Sequence, residues 1–212
     1  MTKEGLPVFH LFFPLTQVIS KNRGWIVMAA VIFMASAVVF YFMPVSSQPA
    51  AEGAVDGQLD QLEDLFSMIL GTTPMISVLL VFMNNFLSMA QMLLLGFLAG
   101  ISPLVTLGLN GALIGIVLAL SAGESAALLP LIFLGLLPHG IFELFAFFLC
   151  GAIGLKFGFH CIASPLPGKT RSESFRYIWK EAISVLPLVV LLLIIAALIE
   201  ILITPRLLET IL

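Results

Sequence analysis

The feature that most constrains this chain is a series of long apolar stretches, each long enough to cross a lipid bilayer. Residues 182–203, AISVLPLVVLLLIIAALIEILI, contain one charged side chain, Glu200, over the roughly 20 residues that a membrane-spanning helix requires. The chain is 60% hydrophobic and 10% charged, whereas soluble domains carry about 25% charged residues. Because backbone groups in hydrocarbon must be satisfied within their own segment, the sequence predicts an all-α, polytopic transmembrane helical bundle.

The apolar stretches predict about five spans, which form a single transmembrane domain over residues 25–205. The predicted spans are residues 25–43, 75–101, 103–121, 138–157 and 182–203. Ahead of them, residues 1–24 form a cytoplasmic or interfacial N-terminal segment, because the apolar run at 6–20 is short and interrupted by proline. Residues 206–212 form a C-terminal tail.

Two polar connections between the spans differ in charge. Residues 44–74 form a predicted extracellular loop, which has five acidic residues and neither lysine nor arginine. Within this loop, residues 59–70 repeat apolar and acidic side chains at helical spacing, which predicts an outer amphipathic helix. Residues 159–181 form the other connection, a predicted cytoplasmic loop rich in basic side chains.

The distribution of lysine and arginine orients the predicted bundle. Eight of the nine basic residues fall on one side of the five-span arrangement, and Arg206 falls on the other. The eight are Lys3, Lys21, Arg23, Lys156, Lys169, Arg171, Arg176 and Lys180. Because basic residues are retained in the cytoplasm, we expect a multi-pass protein of the cell membrane with a cytoplasmic N-terminus and its C-terminus outside.

Residues 126–159 are too long for one straight span and too short for two. A straight helix over these residues would measure about 50 Å, against a hydrocarbon core of about 30 Å. Proline suits the first position of a helix, where no backbone donor is needed, so the sequence predicts one helix broken near Pro138, after a short segment at 126–136. Two crossings here would place residues 156–180 outside, so five spans are favoured over six.

Few polar side chains remain at membrane depth once the connections are set aside. Those assigned to an intramembrane polar site are Asn84, Asn85, Asn110, His139, Glu143 and Glu200. Ionisable groups in a membrane are costly and typical of ion or substrate sites, and broken helices with such groups occur in transporters. The alternatives are structural: His139 or Glu143 pairs with an asparagine and locks the bundle, and Glu200 extends to the outer interface.

Helix packing explains other small and polar residues. Ser77, Asn84, Ser88 and Gln91 share one face of the second span, which favours contacts between helices. The residues assigned to the helix break and to close packing are Pro138, Gly140, Gly111 and Gly115.

His139 and Glu143 are four residues apart, so both can reach one metal ion from the same helix face. Glu200 would be a third ligand if the last span packs against them, and whether a metal binds is left open. The chain has no nucleophile elbow and no phosphate-binding loop, so we expect a non-enzymatic protein without a cofactor. It also lacks a basic tract that would bind nucleic acid.

Five short motifs, MNNFL, GFLAGI, LNGALIG, LPHGIFELFA and IAALIEILITP, follow one another across residues 75–205. In order and spacing they resemble stage II sporulation protein M and its relatives. Phe145 departs from that pattern, because relatives often have proline there. The resemblance maps shared family residues onto Asn84, Asn85, Asn110, Gly111, His139, Glu143 and Glu200.

The resemblance implies an integral membrane protein that anchors and scaffolds cell-wall hydrolases during engulfment, without catalytic activity of its own. We therefore expect a scaffold or assembly factor in the lipid bilayer, with a protein partner docked at the outer acidic helix. The alternative is a transporter or channel for a small solute or ion, including a proton-coupled one, at His139 and Glu143. Because five helices leave little room for a pathway, that alternative calls for a homo-oligomer.

Overall fold

The structure, a computed structural model of the chain, describes residues 15–43, 73–122 and 131–208. The α-helices of these residues are α1 Leu15–Phe42, α2 Pro74–Leu94, α3 Ile101–Ala122, α4 Leu137–Ile162, α5 Arg171–Leu198 and α6 Thr204–Leu208. Two π-helical segments, Leu131–Leu136 and Ile199–Ile203, lead directly into α4 and α6. Within the described ranges, five helices are long and apolar enough to cross a membrane, which confirms the predicted all-α bundle of five spans.

Helix α4 is the central helix of the bundle and contacts α1, α2, α3 and α5. Its inward face is fully buried and includes Leu149, Ile153 and Phe157. Helix α1 packs along α3, and α5 packs along α4, so each outer helix contacts α4 or a neighbour of α4. Side chains that start on α4 can therefore meet groups from every other span.

Glycine pairs bring the backbones of neighbouring helices into direct contact. A Cβ atom on Gly96 would lie 2.7 Å from the Cα atom of Gly154, and one on Gly158 would overlap the backbone of Gly100. The result is a glycine seam at the contact of α4 with the end of α2 and the turn that follows it. Gly111 and Gly115 lie equally close to carbonyl oxygens of α1, so a side chain at either position would force α1 and α3 apart.

Two helix ends differ from the predicted spans. Helix α1 begins at Leu15, so part of the predicted interfacial segment is the first turns of a long helix. Helix α2 ends at Leu94 rather than near residue 101, because the chain turns sharply there: Ala99 and Gly100 have φ angles of 62° and 69°. Apolar composition continues through this turn, so hydropathy alone does not reveal it.

The predicted break near Pro138 is a change in helical form rather than an interruption. Leu136 has φ −95° and ψ −45°, so the chain stays helical as the first π-helical segment passes into α4. Pro138 lies in the first turn of α4, and the wider turns that precede it accommodate the missing backbone donor. The two helical segments are therefore continuous at Pro138.

The connection between α4 and α5 is shorter than the predicted 159–181 loop, since α4 continues to Ile162 and α5 begins at Arg171. Thr170 and Glu173 form a capping box that fixes the start of α5. At the other end, the chain remains helical through Thr204–Pro205 to Leu208, where the sequence predicts a stop and a tail. The predicted outer amphipathic helix at 59–70 falls on residues outside the described ranges.

Aromatic rings gather where α4 ends and α5 begins. Phe157 and Phe175 have ring centroids 4.9 Å apart, Phe175 stacks on Trp179, and Trp25 of α1 packs against Phe159. Aromatic belts are typical of the interface between membrane and water. Since α4 rises about 1.5 Å per residue, His139 lies about 27 Å from Phe157 along the helix, a distance within the roughly 30 Å of a hydrocarbon core.

Candidate intramembrane cation site

Three side chains that can each bind a cation meet inside the bundle. His139 and Glu143 belong to α4, and Glu200 belongs to the second π-helical segment. One ligand atom of each residue lies within 4.8 Å of the ligand atoms of the other two. His139 is buried and both glutamates are half-buried. The last span thus packs where Glu200 joins the other two, and we call these residues the HEE cluster.

Both π-helical segments adjoin the HEE cluster. Leu131–Leu136 ends shortly before His139, and Ile199–Ile203 contains Glu200. Residues in π-helices make up well under 1% of globular proteins, and they occur frequently at functional sites. Because a π turn is wider than an α turn, it changes the direction in which the following side chains project. On both sides of the contact between α4 and the last span, the ligand groups therefore lie within or next to a π-helical segment.

Thr204 supports His139 from the opposite segment. It directly follows the second π-helical segment, and its side chain is buried. Its Oγ1 lies 3.5 Å from Nδ1 of His139. This contact holds one ring nitrogen of His139 and leaves Nε2 as the other group that can bind a ligand.

A cavity of about 210 Å³ borders the cluster, between α2, α3 and α4 and against Phe33 of α1. Its polar lining consists of Asn84, Asn85, Ser88, Asn110, His139 and Glu143. Water occupies about 30 Å³ per molecule in the liquid, so the cavity has room for a few waters or a partly hydrated ion. Polar groups from three helices therefore surround one space within the membrane-spanning region.

Five of the six predicted intramembrane residues line this cavity, and Glu200 reaches it through the HEE cluster. The other two residues of the predicted polar face of α2, Ser77 and Gln91, lie outside the cavity. Ser77 donates to the carbonyl of Thr73 at 3.3 Å, and the Gln91 side chain is exposed. Gly140 also borders the cavity, where a Cβ atom would meet only Leu136, at 4.0 Å.

The asparagines around the cavity are bonded to groups other than the glutamates. Asn84 Nδ2 lies 3.5 Å from Asn85 Oδ1, and Asn110 donates to the carbonyl of Thr106 at 2.9 Å. Across residues 15–43, 73–122 and 131–208, no hydrogen bond joins Glu143 to an asparagine. The alternative in which such a bond locks the bundle therefore has no support from these contacts.

Neither glutamate of the cluster has a basic partner in the part of the chain that the structure describes. The ion pair found there joins Lys156 to Glu181, at the other end of α4. Carboxylates away from water require a compensating charge or proton. Two carboxylates and an imidazole beside a polar cavity therefore constitute a site that attracts a cation.

A second polar centre, which the sequence did not predict, joins α1, α4 and α5. Lys156 Nζ lies 2.6 Å from Glu181 Oε2 and donates to Asn22 Oδ1 at 2.9 Å. Asn22 in turn donates to Glu181 Oε1 at 3.4 Å and to the Val18 carbonyl at 2.9 Å. All three side chains are buried, and we call them the charged triad. The sequence signal for this centre is a lysine near the end of an apolar run, and from sequence that lysine counts only among the basic residues that orient the bundle.

Comparison with known families matches most of the membrane-spanning region. The profile of the family described as stage II sporulation protein M matches residues 29–205, most of the chain. The chain belongs to the stage II sporulation protein M family. Together with the five candidate spans, this makes it a multi-pass integral membrane protein.

The matched region of this family member includes the whole HEE cluster and Thr204, whereas Asn22 of the charged triad lies before it. Comparison with curated proteins and with solved structures gave no match. The family assignment therefore stands on its own and brings no ligand or partner with it.

Proposed function

We propose that this stage II sporulation protein M family member carries a small cation across the membrane and binds it at the HEE cluster. One observation carries the proposal: Glu200 comes from the last span to join His139 and Glu143 beside a polar cavity, with no basic partner among the described residues. A cation or proton is the partner that such a group of carboxylates lacks. The sequence favoured a scaffold over a transporter, and because of this observation we place the transporter first.

The proposed transporter is a homo-oligomer without enzymatic activity. A cavity of about 210 Å³ is too small to be a continuous pathway across the bilayer, so such a pathway calls for a second copy. His139, Glu143 and Glu200 bind the ion, and the asparagines of α2 and α3 accept hydrogen bonds from the waters that remain on it. No catalytic residue is assigned.

Flux into liposomes that contain the purified protein tests this proposal. Glu143→Gln keeps the side-chain shape and removes the charge, so we expect its flux of protons and divalent cations to fall to that of empty liposomes. Gln91→Leu is the matched control, because it changes an exposed polar residue of α2 outside the cavity and should leave flux unchanged. Wild-type flux in a folded Glu143→Gln protein would exclude the proposal.

A scaffold is the second candidate, and the glycine seam supports it. Backbones in direct contact at Gly96–Gly154 and Gly100–Gly158, together with the charged triad, form a rigid framework suited to holding a partner. Native mass spectrometry of protein extracted in mild detergent tests this role. A stoichiometric partner lost on neutralising Asp60, Glu63 and Asp64 is the expected result, and a partner-free homo-oligomer would count against it.

A further inference from the structure

We infer that the HEE cluster is a binding site for a divalent first-row transition metal ion, of the class of zinc or manganese. This inference deepens the proposed function, since it rests on the same site and names the kind of cation. Three observations carry it: the identity and spacing of the ligand groups, the balance of charge, and the support that surrounds His139.

The ligand groups suit a borderline metal ion. Ligands bound to one zinc ion at about 2.0–2.2 Å lie about 3–4 Å from one another, and the three ligand atoms of the cluster lie within 4.8 Å. Rotation of the glutamate side chains covers the difference. An imidazole disfavours Mg²⁺, Ca²⁺ and alkali ions, which prefer oxygen ligands alone. The cluster contains no thiolate, so it lacks the soft ligand that selects Cu(I).

The balance of charge favours a dication over a monovalent ion. Glu143 and Glu200 carry two negative charges when ionised, His139 binds metal as a neutral ring, and a divalent ion cancels the sum. Within the described ranges no lysine or arginine pairs with either glutamate, in contrast to Glu181, which has Lys156. In a low dielectric such cancellation strongly favours binding.

His139 has the support that metal-binding histidines usually require. The second ring nitrogen of such a histidine is normally held by an oxygen, which fixes the orientation of the ring. Thr204 Oγ1 occupies that position at 3.5 Å from Nδ1 and is buried. Because His139 and Glu143 also line the cavity, the bound ion has an open side toward Asn85 and Asn110 for water or exchange.

Metal binding to the purified full-length protein in detergent tests the inference, with Zn²⁺, Mn²⁺ and Co²⁺ as probes. Isothermal titration should give one ion per chain, and bound Co²⁺ should show the visible spectrum of mixed nitrogen and oxygen ligands. We expect Glu143→Gln and Glu200→Gln to weaken metal binding by more than about 100-fold. Thr204→Val should weaken it by about 10-fold, the usual effect of removing a residue that orients a metal ligand.

Three variants separate loss of ligands from loss of structure. His160→Ala, which removes a histidine at the far end of α4, should bind as the wild type does, whereas His139→Ala should not. Glu143→Asp keeps a carboxylate and should retain weak binding with the same stoichiometry. Absence of 1:1 binding in the wild type, or equal binding in a folded Glu200→Gln protein, would overturn the inference.

Binding and flux separate this inference from the proposed function. One metal ion per chain without flux would leave the metal site standing and exclude transport. Proton flux that depends on Glu143, without metal binding, would leave transport standing and exclude the metal site.

Discussion

Lys156 and Glu181 pair their charged atoms at 2.6 Å inside the bundle, and Asn22 bonds to both. Lys156 lies roughly 20 Å along α4 from Glu143, at about 1.5 Å per residue. One end of α4 thus holds a charge that the protein itself compensates, and the other holds carboxylates without such compensation in the described chain. We interpret the first centre as structural and the second as a site for an ion.

Breaking the charged triad should destabilise the bundle. Glu181→Leu leaves Lys156 buried without a counter-charge, which typically costs about 3–5 kcal/mol, so the free energy of unfolding in detergent micelles should fall by that order. The double variant with Lys156→Met should recover most of the loss, because it removes both charges. Unfolding by denaturant, followed by circular dichroism, measures each value.

Lys180→Met is the matched control, since this lysine is exposed on the same helix. Its unfolding free energy should change by less than about 0.5 kcal/mol. A single variant at Glu181 as stable as this control would contradict the structural role of the triad.

A side chain in the glycine seam should force α2 and α4 apart. Gly158→Ala places a methyl group against the backbone of Gly100, which cannot move as a side chain could, so we expect a loss of at least about 1–3 kcal/mol. Gly108→Ala is the control, because open space surrounds that position and alanine favours helix. Thermal unfolding should place Gly108→Ala at or above the wild type and Gly158→Ala below it. A Gly158→Ala protein as stable as Gly108→Ala would contradict the close contact in the seam.

Relief of the left-handed backbone at the turn between α2 and α3 should stabilise the protein. Ala99 has φ 62°, a conformation that costs alanine roughly 1–2 kcal/mol and glycine little. Ala99→Gly should raise the free energy of unfolding by about 0.5–1 kcal/mol, once the added freedom of the unfolded chain is subtracted. Ala90→Gly, inside α2, should instead lower it by about 1 kcal/mol, and equal effects would contradict the turn.

The predicted orientation can be checked with single cysteines at opposite ends of the bundle. Thr73 and Ser164 are both exposed. Each is replaced by cysteine in a protein whose native cysteines, Cys150 and Cys161, have been removed, so that it carries a single reactive thiol. A membrane-impermeant maleimide added to intact cells should label Thr73→Cys and leave Ser164→Cys unlabelled until the membrane is opened. The opposite pattern would place the N-terminus outside.

Hydropathy predicted the number of spans and their order, because each apolar stretch must be covered by lipid or by another helix. It did not predict where helices end. α1 and α5 extend beyond their apolar parts into polar residues, and the Thr170 capping box, rather than composition, starts α5. A single proline likewise predicted a break at Pro138, where wider turns keep the chain helical.

The HEE cluster was only half accessible to prediction. His139 and Glu143 share a face by their spacing, but Glu200 lies more than fifty residues away, and its position depends on how α5 packs. The charged triad was missed for the same reason. Lys156 and Glu181 each lie near the edge of an apolar run, where a charge normally faces water, and only the packing of α4 on α5 buries them.

Where Gly158 meets Gly100, the glycine seam brings α4 into direct backbone contact with the turn that follows α2, and no space remains between them. Neither helix can slide or rotate there without a collision, so that end is the fixed point of any movement. The opposite end of α4 meets the last span through Thr204 and three ionisable side chains, contacts that an ion bound at the proposed site would change. We therefore expect conformational change to take the form of splaying, largest where the last span leaves His139 and smallest at the seam.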